Sequence, residues 1–387
     1  MSCRLLWRTC KRALPKHDRI RTSYSAGSRR LYSEGETTAV PRVIFSGIQP
    51  TGIPHLGNYL GAIRNWVKLQ NTAAPGDTVI YCIVGYHAIT LPQDPVHLET
   101  ERLNMLASLL ACGINPKLSL LYNQDQVPEH TELAWILNCI TPVGWLSRMT
   151  TWKSKLAVAR NAGSEDEIDE SMLNLGLFAY PVLQAADIMI HKSTHVPVGD
   201  DQTQHLELAQ DIARAFNHKY GDDLFPMPQQ LSTSAKRVLS LRDPAQKMSK
   251  SAPSDKSRIL ITDDPAAITA KIRGAVTDSI TEITYDPEGR PGVGNLISVL
   301  AACTSEEPTL DLDAIGRSYQ GRRIQDLKQD VADAVIAKID PIRKEYERIR
   351  AEPSWLRDVS EAGTVLARER ASRTMLEVKR TVGLARM

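Results

Sequence analysis

The sequence lacks several features that would assign it quickly. No apolar run approaches the roughly 20 residues that a membrane-crossing helix needs, which argues against a membrane-spanning protein. Its six cysteines include no C-x-x-C pair, so neither a disulfide scaffold nor a four-cysteine zinc site is expected. No internal repeat is evident. Neither a Walker A loop nor a G-x-G-x-x-G fingerprint occurs, and ordinary kinase and dinucleotide readings lose weight accordingly. Acid is nearly absent from residues 1–33, which hold nine Lys/Arg and one acidic residue, Asp18, for a net charge of +8. The rest of the chain sums to −6. The body is therefore mildly acidic, and any contact with nucleic acid must come from local patches.

What is present is ordinary in bulk. The 387 residues are 42% hydrophobic and 24% charged, which suits a globular protein of two or three domains. The Arg- and Ser-rich N-terminus can form a short amphipathic helix over 3–14, with Arg4, Arg8 and Lys11 on one face. This composition matches an organelle transit peptide. Arg30-Leu31-Tyr32-Ser33 resembles a mitochondrial processing site, cut after Tyr32. The expectation is a transit peptide over 1–32 and a mature protein in the reducing mitochondrial matrix, where unpaired cysteines are at home.

Along the body, residues 42–47 read as a buried strand, followed by a Gly/Pro-rich loop and a helix over 58–70. Strands are expected at 78–85 and 118–122, with helices at 95–112 and 129–140. This β-α-β-α-β order predicts an α/β fold with a parallel sheet of Rossmann type. The acidic stretch 163–170 reads as a mobile surface loop. A strand at 195–198, a helix at 201–219 and a last strand at 237–241 follow. After about residue 262 the pattern turns helical and charged. The expected division is a catalytic domain over 40–241, a loop over 242–261 and an α-helical domain over 262–387.

Two loops carry the chemistry. In 46–58 (SGIQPTGIPHLGN) a strand turns into a helix whose N-terminus presents free N–H groups and the positive end of the helix dipole, a setting suited to phosphate. His55 adds an imidazole able to donate to a phosphate oxygen. The second loop is Lys247-Met248-Ser249-Lys250-Ser251. Its two lysines and two hydroxyls could close over a polyphosphate and stabilise charge on departing pyrophosphate. His191-x₃-His195 offers no third ligand, and these read as strand-edge histidines rather than a metal pair.

At these residues the chain resembles a known family. His55-Leu56-Gly57-Asn58 is similar to the HIGH signature of class I aminoacyl-tRNA synthetases, and Lys247–Ser251 is identical to their KMSKS signature. FSGIQPTG at 45–52, HAIT at 87–90, AAD at 185–187, VPVGDDQ at 196–202 and AVTDS at 275–279 resemble the bacterial and mitochondrial tryptophanyl branch. The resemblance runs from about Arg42 to the end of the chain. It implies a Rossmann-type catalytic domain, a helical anticodon-binding domain and a homodimer. The implied substrates are L-tryptophan, ATP with Mg²⁺, and tRNA(Trp).

Roles follow by matching positions. Gln49, Pro50 and Thr51 match the family's ATP-binding stretch, and Gly57 and Asn58 its phosphate- and adenosine-contacting pair. Gly199, Asp200 and Asp201 match the ribose- and adenine-side loop, and Val238 a backbone contact to adenine. His55, Lys247 and Lys250 match the catalytic groups, with Met248, Ser249 and Ser251 completing the mobile loop. Asp187 matches the carboxylate that reads the indole N–H. Tyr180 and Gln202 match groups that hold the α-amino group, and His87 lies in the same pocket. The chain departs from the family at Gly85-Tyr86, where relatives usually carry an acidic residue before His87's equivalent. Two other readings compete: the tyrosine-specific sister enzyme, and an RNA-binding or splicing-assistance protein built on a synthetase scaffold.

Overall fold

Among the described residues, five short strands, all parallel, carry the molecule's centre. The computed structural model describes residues 40–153, 156, 173–199, 202–232, 237–250, 252–305 and 311–385. The expected transit peptide and the acidic stretch 163–170 lie outside the described residues. Strands β1 (Val43–Ile48), β2 (Thr78–Ile83), β3 (Leu120–Asn123), β4 (His195–Val198) and β5 (Gln229–Ser232) form one sheet in the order β3-β2-β1-β4-β5. Every pairing is parallel. The order reverses between β1 and β4. That switch point opens a crevice at the C-terminal strand ends, where ligands bind in such sheets.

The sequence reads as continuous apolar runs in β1 and β2 because helices cover both faces. Tyr81, Ile80, Ile83 and Ile44 are fully buried. The expected helix over 58–70 is instead three pieces: α1 (Leu56–Asn58), a π-helical turn (Tyr59–Ile63) and α2 (Arg64–Asn71). A single π turn inside a helix widens it locally and is frequent at functional sites. Then come α3 (Gly85–Ala88), α4 (Pro95–Ala111), α5 (Glu129–Asn138), α6 (Val143–Ser147), α7 (Leu175–Met189) and α8 (Thr203–Tyr220). Asp94 caps α4 by accepting from His97 N, with Pro95 in the first helical position, a start signal legible in the sequence.

The expected last strand at 237–241 is not part of the sheet. Its backbone is engaged elsewhere: Leu239 N donates to Asn295 Oδ1 (2.9 Å), and Leu239 forms an isolated antiparallel bridge with Lys247. The fifth strand is Gln229–Ser232, a polar stretch that pairs with β4 from His195↔Gln229 to Val198↔Ser232. His195 therefore stands on an interior strand, not at an edge.

The C-terminal part is helical, as expected: α9 (Pro265–Arg273), α10 (Pro291–Thr304), α11 (Leu312–Ser318), α12 (Ile324–Arg350) and α13 (Pro353–Thr381). Residues Pro41–Met387 form one compact unit. Helices α9, α10 and α12 share a hydrophobic cluster with the β1–β2 side of the sheet, through Ile268, Leu296 and Val335. Helix α13 covers the edge strand β3. A Cβ on Gly363 would fall 1.9 Å from Leu121 O, so this approach demands glycine, and an otherwise open edge is closed.

Candidate active site

The two chemistry-bearing loops meet because short backbone ladders pin them together. Leu56 N donates to Ile259 O (2.7 Å), Ile261 N donates to Pro54 O (3.0 Å), and His55 bridges Leu260 in antiparallel fashion. Met248 is buried, and its N–H donates to Val238 O at 3.0 Å. Between the loops lies a cavity of about 960 Å³, the size of a substantial ligand site. Gln49, Pro50, Thr51, His55 and Asn58 line it from one side, and Lys247, Met248, Ser249 and Lys250 from the other. Arg258 and Glu101 line it too. The sequence reading missed both, since neither belongs to a local motif.

His55 is the N-cap of α1. Its Nδ1 accepts from Asn58 N (3.2 Å), while Asn58 Oδ1 accepts from His55 N (3.1 Å). An imidazole whose Nδ1 accepts carries its hydrogen on Nε2, so the cap fixes the ring as a neutral donor. Burial, with the charges of Lys250, Lys247 and Arg258, takes its pKa down to about 3. The ring stays neutral across the physiological range.

Lys250 reaches across to the first loop and donates its Nζ to Gly52 O at 2.7 Å. Burial lowers its pKa to about 8, and the Glu101 carboxylate opposes that fall. Glu101 Oε2 is buried without a hydrogen-bond partner. The cavity thus holds several cationic groups, one carboxylate among its lining residues and a neutral imidazole donor, an arrangement that favours a polyanion.

A second group lies beneath the sheet's C-terminal end. Asp187, on α7, is 1% exposed, not the helix-end surface acid that aspartate in general would suggest. Its Oδ1 takes His130 Nδ1 (2.7 Å) and its Oδ2 takes His87 Nε2 (2.8 Å). Gln124 Nε2 donates to both oxygens, at 2.7 and 2.8 Å. Burial alone would raise the Asp187 pKa, but hydrogen bonds from His130 and His87 outweigh it and hold the carboxyl at about 2. The ring of Tyr180 stands edge-on to His87, centroids 6.1 Å apart, and its hydroxyl meets Thr151 Oγ1 and His205 Nε2, each at 2.9 Å. Gln202 stands at the N-cap position of α8 and accepts from Gln184 Nε2 at 3.4 Å.

Gln124 and His130 were not foreseen. Gln124 follows β3 at the C-terminal end of a parallel strand, a place that could have flagged it. His130 lies on α5 with no sequence signal linking it to Asp187. Of the other expected residues, Gly57 packs between the His55 ring and Val238, and Gly199 follows β4, exposed. Asp200, Asp201 and Ser251 lie outside the described residues. The departure at Gly85 has a structural counterpart. A Cβ there would fall 2.5 Å from Asp125 Oδ1, so a neighbouring carboxylate, ion-paired to Arg102, stands where a side chain at 85 would begin.

Comparison with known proteins agrees with this geometry. The family described as tRNA synthetases class I (W and Y) matches residues 38–339. A mitochondrial tryptophan–tRNA ligase of Schizosaccharomyces pombe is 42% identical over 354 residues, covering 88% of this chain and 95% of its own length. That of Saccharomyces cerevisiae is 40% identical over 368 residues, covering 94% of each. A solved tryptophanyl-tRNA synthetase from Campylobacter jejuni, complexed with ADP and tryptophan, superposes with a TM-score of 0.72 at 31% identity, covering 89% of this chain and all of its own.

Proposed function

The chain belongs to the class I tRNA synthetases of the tryptophan and tyrosine type, and from that premise we propose that it ligates L-tryptophan to tRNA(Trp) in two steps. In the first, a tryptophan carboxylate oxygen attacks the α-phosphate of ATP. The new C–O–P bond gives tryptophanyl-adenylate as the bond to the β-phosphate breaks and pyrophosphate leaves. In the second, a hydroxyl of the terminal adenosine of the tRNA attacks the acyl carbon and AMP departs.

The protein supplies no nucleophile, so its work is positioning and charge stabilisation. Lys247, Lys250 and the His55 Nε2–H gather on the pyrophosphate side. Gln49, Pro50, Thr51, Gly57 and Asn58 receive the rest of ATP with Val238, Gly199, Asp200 and Asp201, and Met248, Ser249 and Ser251 complete the closing loop. Mg²⁺ bound with ATP would offset the charge of its phosphates. Glu101 is the carboxylate among the cavity's lining residues and could reach such an ion. Asp187 receives the indole N–H, with His87 in the same pocket, while Tyr180 and Gln202 hold the α-amino group. A pocket built on a specific polar hydrogen bond rejects analogues lacking it by about 10⁴–10⁵.

The meeting of His55 and Lys250 in one cavity carries this reading. Its test is Lys250→Ala in ATP–pyrophosphate exchange. The rate should fall far more than tryptophan affinity, because that contact strengthens in the transition state. Loss of tryptophan binding with an unchanged rate would refute the role.

The same reading extends to assembly and location. Residues 40–241 act as the catalytic domain, 242–261 as the closing loop and 262–387 as the tRNA-contacting helical region. The enzyme works as a homodimer: Trp135 on α5, Val143 on α6 and Leu175 on α7 are exposed apolar side chains on helices that pack together. Residues 1–32 direct it to the mitochondrial matrix, consistent with the names of both fungal relatives. No helix among the described residues is long and apolar enough to cross a membrane.

A further inference from the structure

Behind Asp187 a line of buried polar groups runs away from the reaction centre toward α13, and the two-step chemistry uses none of them. His130, bonded to Asp187 through Nδ1, has its Nε2 2.8 Å from Tyr122 OH. The same hydroxyl lies 2.7 Å from His191 Nε2. All three side chains are buried. Beyond them, Arg370 of α13 donates Nη2 to the His191 carbonyl at 3.0 Å. His191 Nδ1 is buried with no partner.

The direction of these bonds can be worked out. An ionised carboxylate only accepts, so His130 Nδ1 carries a hydrogen. The Tyr122 hydroxyl has one hydrogen and cannot donate to both imidazoles; the Cys82 thiol, also in hydrogen-bond contact with it, is only a weak acceptor. His191 decides between them. Burial, with the charge of Arg370, pushes its pKa well below the usual histidine range, so the ring is neutral. No partner bonds its Nδ1, and the repulsion of the Arg370 charge on this ring favours a lone pair there. The hydrogen of His191 is then on Nε2 and donates to Tyr122. The hydroxyl in turn donates to His130 Nε2, which must be a lone pair. The line reads one way: His191 to Tyr122 to His130 to Asp187.

We propose that Tyr122 and His130 are positioning residues for amino-acid specificity: Tyr122 fixes the His130 tautomer, and His130 then holds Asp187 as an oriented acceptor for the indole N–H. A carboxylate offers about four acceptor sites. His130 and His87 each hold one oxygen and Gln124 Nε2 is shared between both, so these donors fix its plane, and an indole N–H would take the place of one half of the shared Gln124 contact. The inference rests on the tryptophan reading above and deepens it. The leverage comes from burial: a polar group left unpaired here keeps its full desolvation cost.

The experiment compares pyrophosphate exchange with tryptophan and with its benzothienyl analogue, in which sulfur replaces the indole N–H. Wild-type protein showing no tryptophan-dependent exchange would sink the functional reading itself, before any variant is compared. Given wild-type exchange, Tyr122→Phe should shrink the tryptophan-to-analogue ratio of kcat/KM about tenfold, roughly 1.4 kcal/mol, with KM for ATP unchanged. His130→Gln, whose amide can still donate to Asp187, should keep most of the ratio, and His130→Ala should lose it. A merely structural role would lower both substrates together and leave the ratio unmoved, which overturns the proposal. Nitrogen-15 NMR of histidine-labelled wild-type protein gives a readout independent of activity and of variant folding. His130 should show a protonated Nδ1 and an unprotonated Nε2. The reverse tautomer, or a doubly protonated ring, contradicts the assignment.

Discussion

Lys250 is the residue through which pH should reach the activation step. It acts as a cation, and in the ATP-free enzyme burial brings its pKa down to about 8. The charged form therefore dominates below that value and is lost as pH rises through it. Because kcat/KM reports the free enzyme, kcat/KM for ATP in pyrophosphate exchange should be flat near pH 7 and decline above about 8. Lys250→Arg should remove that alkaline limb, since a guanidinium stays protonated. Glu101→Gln should move the limb to lower pH, because the carboxylate supports the ammonium charge. An unchanged limb in both variants would assign the titration to another group. His55 should contribute no limb between pH 5 and 8, its pKa lying near 3. Most of these residues could be picked from the sequence because two local motifs contain them. Arg258, Glu101, Gln124 and His130 could not, because only the folded chain brings them to the site.

At the scale of elements, two local arrangements invite measurement. The AVTDS segment reads as a family motif, and the structure gives its aspartate a mechanical task. Asp278 takes Arg290 Nε and Nη2 (2.9 and 2.8 Å), and the same guanidinium donates to Glu282 O, Thr284 Oγ1 and Ile280 O. Arg290 is buried and ties 278–284 to the start of α10. Arg290→Met should cost about 3 kcal/mol of stability, the lower end of the range for breaking a buried pair because Asp278 is partly exposed. Urea titration measures it, and a change within 0.5 kcal/mol, the size of an ordinary surface substitution, would show the network to be dispensable.

The second arrangement is Gly85 against Asp125. Gly85→Asp alone should be destabilising, because Asp125 Oδ1 lies where its Cβ would fall and must shift away from Arg102. Adding Asp125→Ser should recover most of the lost stability and tryptophan activation. A double variant no better than the single would mean the two sites are not coupled. Element identity was legible wherever apolar periodicity was strong, as in β1, α4 and α12. It failed for β5, whose Gln229-Gln230-Leu231-Ser232 is too polar to signal a strand and is held by pairing with β4. It failed for 237–241 for the opposite reason: apolar residues there face a core, but their backbone bonds go to Gln246, Met248, Ser257 and Asn295.

For the whole molecule, the parallel order of the strands decides where chemistry happens. The reversal between β1 and β4 brings the ends of β1 and β4, with the His87 turn after β2 and Gln124 after β3, to one rim. The β-α-β alternation made that sheet legible before any coordinates. The joining of the C-terminal helices to the same core was not, because their charged periodicity does not say which neighbour their buried faces meet. The measurement that bears most directly on the account is ATP–pyrophosphate exchange by protein beginning at Ser33, with each of the twenty amino acids in turn. The account predicts exchange with tryptophan alone. Exchange with tyrosine instead would keep the fold and overturn the assignment of Asp187. No exchange with any amino acid, from folded protein that still binds tRNA, would contradict the proposed activity and favour a role in RNA binding.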